Sequence, residues 1–183
     1  AKAEHGIGLA PNQTATKAQW LLDQFDAGRE RDLCIGTVDS WIAWVLSRGA
    51  VHVTDHSNAA VTGLLRTDAS AWDERVCGAL GVPVSMLPAV VDTCGIVGTA
   101  DALPGRPRIA ALVGDQQASL VGQGCIRQGL AKVTFGTGGM LDLCTGPTAP
   151  PSGARGADGT FPIVAWSLGG RLTWGVEAIM LSA

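Results

Sequence analysis

The chain is short of everything that marks a membrane, secreted or nucleic-acid-binding protein. No run approaches the roughly 20 apolar residues that span a bilayer. No basic start leads into the apolar core of a signal peptide. A formal charge of −3 over 183 residues leaves no basic footprint for nucleic acid. The five cysteines (Cys34, Cys77, Cys94, Cys125 and Cys144) are odd in number, scattered and without C-x-x-C spacing. That pattern argues against a zinc site and against a disulfide framework, and reads as reduced thiols in apolar settings. His52 and His56 lie four apart, but Val51-His52-Val53 reads as strand, so they share no helix face and no metal site is expected. What remains is a chain 46% hydrophobic and only 16% charged, the composition of a globular interior and not of a disordered one. Cytoplasmic location and a small-molecule partner are the expectations, with no nucleic acid and no membrane. A homo-oligomer is left open.

Periodicity organises the first part. Ala18, Leu21, Leu22 and Phe25 fall on one helical stripe over 14–25, with Thr14 as its cap. Leu33-Cys34-Ile35-Gly36 is short enough for a strand. Val38, Trp41, Ile42 and Val45 repeat the stripe behind Thr37, and Arg48-Gly49 ends that helix. Ser70-Ala71-Trp72-Asp73 has the spacing of a capping box. Residues 95–100 read as strand, 101–108 as a Pro/Gly loop, and Ile109-Ala110-Ala111-Leu112-Val113 as a buried strand. A helix follows from Asp115 to Gly122. After Gly124 the texture changes to strands: 131–135, 140–144, 161–167 and 171–176, the last two a hairpin around Gly169-Gly170. Residues 146–159 read as a loop, and Glu177 to Ala183 as the start of a helix. The final strands leave a sheet face uncovered and Ala1 to Leu9 has no start signal, so the chain reads as an internal portion of a longer protein.

Two segments carry chemistry. Gly114-Asp115-Gln116-Gln117 follows an apolar run and places a carboxylate at the start of a helix. There Asp115 is either a general base for a substrate hydroxyl or a simple helix cap. Gln116 adds two donors and an acceptor at the same mouth, or is a solvated helix residue. Gly136-Thr137-Gly138-Gly139 interrupts two strands with residues that let backbone N–H groups approach an oxyanion; it is otherwise an ordinary hairpin turn. It lacks the Gly-Lys-Ser/Thr end of a P-loop. Lys132, just ahead of it, is within reach of a phosphate there, but reads first as an edge-strand lysine. A base and an anion cradle together suggest phosphoryl transfer to a hydroxyl.

Taken in order, these segments resemble the FGGY carbohydrate kinases, and within them the glycerol kinases. The resemblance runs through Thr16-Lys17-Ala18-Gln19-Trp20-Leu21-Leu22-Asp23, Ile35-Gly36-Thr37-Val38-Asp39-Ser40-Trp41 and Val51 to Ala59. It continues through Ser85-Met86-Leu87-Pro88, Gly114 to Leu120 and Ala131 to Gly138. It implies an α/β fold of the actin-like, ribonuclease-H-like type, two lobes around a cleft. Residues 1–122 would be the C-terminal part of the first, substrate-side lobe, and 123–183 the N-terminal part of the second, nucleotide-side lobe. It also implies Asp115 as catalytic base and Gln116 as a contact to the polyol. Gly136, Thr137 and Gly138 would lie on ATP phosphates, with Mg²⁺ offsetting their charge. The family's first phosphate loop and its adenosine-binding segment have no counterpart here, so the 183 residues alone are expected to be inactive. Two departures matter: Asn12 and Met140 stand where glycerol kinases carry substrate-side aromatics. Glycerol or a related polyol is the expected substrate. A sugar kinase with a larger substrate and a non-catalytic, actin-like nucleotide-binding protein are the alternatives.

Overall fold

The computed structural model describes residues 9–136, 138–150 and 159–181. Its helices are α1 (Thr14–Phe25), α2 (Val38–Leu46), α3 (His56–Ala60), α4 (Glu74–Ala79) and α5 (Asp115–Gly122), with a 3₁₀ turn at Val84–Met86. Its strands are β1 (Val53–Asp55), β2 (Ala89–Val91), β3 (Cys94–Thr99), β4 (Arg108–Ala111), β5 (Ala131–Phe135), β6 (Gly138–Gly146), β7 (Thr160–Leu168) and β8 (Arg171–Leu181). β1 and β2 pair in parallel, β3 and β4 form an antiparallel ribbon, and the rest make an antiparallel sheet of order β5-β6-β8-β7.

The helices form where periodicity puts them, but their buried faces differ from the expected ones. α1 buries Ala15, Ala18 and Leu22 against Leu64, Val76 and Leu80, while Leu21 and Phe25 stay exposed. Its N-cap position is Gln13, not Thr14, which is the first helical residue. α2 departs further. Val38 is 75% and Trp41 66% exposed, and Ile42 and Val45 are also open. Its inward face is Asp39, Ser40 and Ala43. Asp39 turns inward because Thr54 and the Asp55 amide on β1 donate to it, and buried carboxylates go where their hydrogen bonds are. Thr37 sits at the N-cap position yet donates to Asp39 Oδ1 and does not cap.

Four further expectations are corrected. Leu33 to Gly36 is an extended connector, tied by a ladder-like bond from the Ile35 amide to the Met86 carbonyl (2.7 Å). Ser70 makes no capping box, because its amide and hydroxyl both bond Asp68; Asp73 caps α4 by accepting from the Arg75 and Val76 amides. The strand before Asp115 is not deeply buried: on β4 only Ile109 is inside, and Arg108, Ala110 and Ala111 face out. Glu177 begins no helix. β8 runs through it to Leu181, because Glu177 and Ala178 pair on both sides, with β6 and β7, and β6 carries the pairing on to Leu181. Double-sided pairing outweighs local helix propensity. The β7–β8 hairpin turns at Gly169 and Gly170, both at positive φ (59° and 72°), as a tight two-residue turn requires.

All five cysteines are free thiols; Cys77, Cys125 and Cys144 are buried, whereas Cys34 and Cys94 are exposed against expectation. Burial pushes the Cys77 thiol up to about 11. Leu120 of α5, with no exposed surface, packs with Cys125, Cys144 and Ala165 and so seats α5 on the four-stranded sheet. Burying such a leucine contributes about 2–3 kcal/mol. The loop after β2 is stitched to β7: the Thr93 amide donates to the Ser167 carbonyl (3.1 Å), and the Ser167 amide donates to Thr93 Oγ1 (2.9 Å).

Candidate active site

Residues 112–115 turn from ribbon to helix at one corner. The Leu112 amide donates to the Thr93 carbonyl (3.0 Å). Gly114 is the N-cap of α5 in extended backbone (φ −64°, ψ 149°). Its amide donates to Ser57 Oγ at 2.9 Å. Glycine is required here by space and not by conformation, since a Cβ would collide with the carboxamide of buried Gln117. Asp115 then stands exposed in the first turn, its Oδ1 accepting from the Gln116 amide at 2.8 Å. One oxygen thus serves the local turn, and the carboxylate opens to solvent.

Ser57 is itself held from below. It donates to Oδ1 of Asp55 (2.8 Å), a carboxylate with no exposed surface. The same oxygen accepts from the Asn58 amide (3.0 Å) and from Asn58 Nδ2 (2.8 Å), and Thr93 Oγ1 donates to Oδ2 at 2.6 Å. Four donors surround one buried anion, which is how a buried carboxylate is made tolerable. Asp55 therefore caps α3, holds the loop after β2, and through Ser57 fixes the Gly114 amide. His56 is turned away, Nδ1 within bonding distance of the Val91 carbonyl (3.0 Å) and Ser167 Oγ (2.9 Å). The other histidine of that pair, His52, faces the Ile35 carbonyl at 3.1 Å.

On the other side of Asp115 lies a row of charges across the sheet. The register pairs Lys132 on β5 with Asp142 on β6, and Asp142 with Glu177 on β8. Alternation puts all three on the face that carries α5. Lys132 lies on an edge strand as expected, but its side chain is fully buried. Nζ lies 2.7 Å from Asp142 Oδ2 as an ion pair, 2.9 Å from Thr134 Oγ1 and 2.5 Å from Gln116 Oε1. The solvent side of β5 is instead Val133 and Phe135. Burial first, then the negative charge of Asp142, pushes Glu177 up to about 7; Lys132 works against the rise and the charge of Asp115 adds to it. Periodicity could not find this row. Its signal was a charge in the interior of each of three largely apolar strands.

The remaining expected site residues are less closely joined. Gly136 is an exposed bend at the end of β5 and Gly138 opens β6, while Thr137 lies outside the described residues. The turn stands about 13 Å along the strand from Lys132, four residues at roughly 3.3 Å each. Met140 is half-buried on the same face as Asp142, opposite Thr134 and Ile179. Asn12 sits in an exposed turn ahead of α1 and does not line the cleft that reaches Asp115. That cleft, of about 900 Å³, is walled by Leu21 and Phe25 of α1 and Val38 and Ile42 of α2, with polar groups from Lys17, Thr37, Asn58 and Asp115 on its lining.

This arrangement is part of an actin-like α/β ATPase fold. The chain superposes on xylulose kinase from Rhodospirillum rubrum with a TM-score of 0.79 at 19% identity, covering all of this chain and 36% of that one. Plasmodium falciparum glycerol kinase with ADP gives a TM-score of 0.79 at 26% identity, over 90% of this chain and 34% of that one. A model described as the FGGY family of carbohydrate kinases, N-terminal domain, matches residues 1–123, and the chain belongs to that family. Curated relatives include glycerol kinases from Alkalilimnicola ehrlichii, 40% identical over 184 residues, and Halorhodospira halophila, 42% identical over 185. Each match covers 97% of this chain and 36% of the relative, so the chain spans about a third of their length.

Proposed function

We propose that the full-length protein transfers the γ-phosphoryl group of ATP to a hydroxyl of glycerol or a related polyol or sugar, with Asp115 as general base. The observation that carries this is the exposed Asp115 carboxylate beside Gln116, on a corner braced by Ser57 and Asp55 from one side and met by Lys132 from the other. In-line transfer needs an acceptor hydroxyl held still and a carboxylate within hydrogen-bond reach of its proton. Asp115 accepts that proton and Gln116 orients the hydroxyl. The Gly136–Gly138 turn, with Thr137, meets the nucleotide phosphates through exposed backbone. The described residues hold no group of three or more His, Cys, Asp or Glu able to bind a metal. In this reading Mg²⁺ accompanies ATP and offsets phosphate charge. Residues 1–122 and 123–183 are assigned to the substrate-side and nucleotide-side lobes. Asn12 and Met140 are assigned to the substrate side, where their amide and thioether favour a roomier pocket than two aromatics would leave.

The test is Asp115→Asn in the full-length protein, with glycerol, longer polyols and ketoses as acceptors. Turnover should fall by on the order of 10²–10⁴ while ATP still binds. Near-wild-type turnover would reduce Asp115 to a helix cap.

A further inference from the structure

The proposed role of Gln116 leaves open which end of its amide meets the substrate, and the row beneath it answers that. An ammonium group has only donors, so the group it meets at 2.5 Å can only be the amide oxygen of Gln116. Lys132 is fixed in turn, with its side chain fully buried, Asp142 Oδ2 at 2.7 Å and Thr134 Oγ1 at 2.9 Å. With Oε1 turned to the sheet, the NH₂ is the end left for the mouth of the site, and no described residue accepts from it. We propose that Lys132, held by Asp142 and Glu177, is a positioning residue that locks Gln116 as a hydrogen-bond donor. The site thereby reads a substrate oxygen through its lone pair. This rests on the reading of Asp115 and Gln116 given above.

The orientation has a consequence for the reaction. A hydroxyl oxygen that accepts from Gln116 has its own proton free to point elsewhere, and Asp115 is the adjacent residue. A donor on one side and a carboxylate on the other align the hydroxyl for deprotonation without either group moving.

Charge counting supports the lock. The row holds one cation and two carboxyls, all buried, and Glu177 within it is faced by Asp142 on β6, Lys132 on β5, Phe161 on β7 and Asp115 on α5. Neither oxygen of Asp142 has a hydrogen-bond partner among the described residues; its contact with Lys132 is an ion pair at 2.7 Å. A proton retained on Glu177 balances the row and supplies Asp142 with the donor it lacks. The raised Glu177 agrees with this.

The experiment uses steady-state kinetics of the full-length protein with its best polyol. Gln116→Glu keeps an oxygen for Lys132 and offers only oxygens to the substrate. It should lower kcat/KM by about 10-fold or more, as Gln116→Ala does, without loss of thermal stability. Lys132→Met alone would strand Asp142, so it is paired as Lys132→Met/Asp142→Leu. The pair should match the Gln116→Ala loss, should cost nothing further on top of Gln116→Ala, and should be relieved in part by Lys132→Arg with Asp142 restored. Near-wild-type activity of Gln116→Glu overturns the donor assignment. Additive losses overturn the positioning role of Lys132. A wild-type protein that phosphorylates no polyol removes the underlying kinase reading, whereas an active wild type with a tolerated Gln116→Glu removes only the orientation.

Discussion

Asp55 offers the sharpest test of how the Gly114–Asp115 corner is held. Asp55→Asn preserves shape and one acceptor oxygen. That oxygen can keep the donors now at Oδ1: Ser57 Oγ, the Asn58 amide and Asn58 Nδ2. The new NH₂ must stand at Oδ2, where Thr93 Oγ1 donates at 2.6 Å, and two donors then face each other. The Thr93 hydroxyl can turn its proton only toward Ser167 Oγ, 3.5 Å away, while still accepting from the Ser167 amide. One charge-assisted bond is lost outright, a loss of about 1.5–3 kcal/mol, and the other three weaken when the acceptor loses its charge. A total of about 3 kcal/mol follows. Urea unfolding of the full-length protein, read by tryptophan fluorescence, measures it. Thr93→Val removes the opposing hydroxyl and by itself costs about 2 kcal/mol, because it orphans Asp55 Oδ2 and the Ser167 amide. In the double variant the clash is gone, so the losses should fall short of their sum by more than 1 kcal/mol. Strict additivity, or an Asp55→Asn loss below about 1 kcal/mol, would refute the reasoning.

Two further outcomes follow from the same geometry. Gly114→Ala should lower turnover about 10-fold with little change in nucleotide binding, because the new methyl displaces Gln117 and tilts Asp115; Gln117→Ala in the same chain should restore most of it, and a neutral Gly114→Ala would show the corner to be loose. Glu177 binds its proton more tightly folded than unfolded, so its contribution is full below about 4.5 and is lost as pH rises toward about 7. Stability of the full-length protein should therefore decline across that window, and Glu177→Gln should flatten the decline; an unchanged slope by urea titration at several pH values would mean that Glu177 is ionised throughout.

What could be read in the sequence is what local chemistry decides. α5 begins at Asp115 because an apolar run meets Gly-Asp, and β5 ends at Phe135 because glycines follow it, although β6 opens at Gly138 and not at 140 as expected. The helix over 14–25 follows from its periodicity, and the ordered segments from Thr16 to Gly138 carried the family. None of these needs a partner far along the chain. Tertiary structure decided which way the same elements face. The apolar stripe of α2 stays open because Asp39 has three groups to meet inside: Thr37, Thr54 and the Asp55 amide. Glu177 lies in a strand because β8 finds partners on both edges. Lys132 is buried because register sets it opposite Asp142, although alternation along β5 serves either face equally well. Asp55 is braced by Thr93, and Thr93 by Ser167 (74 residues further on). Such contacts join residues that no local pattern relates, so the side chains that hold Asp115 and Gln116 in place became visible only once the chain was folded.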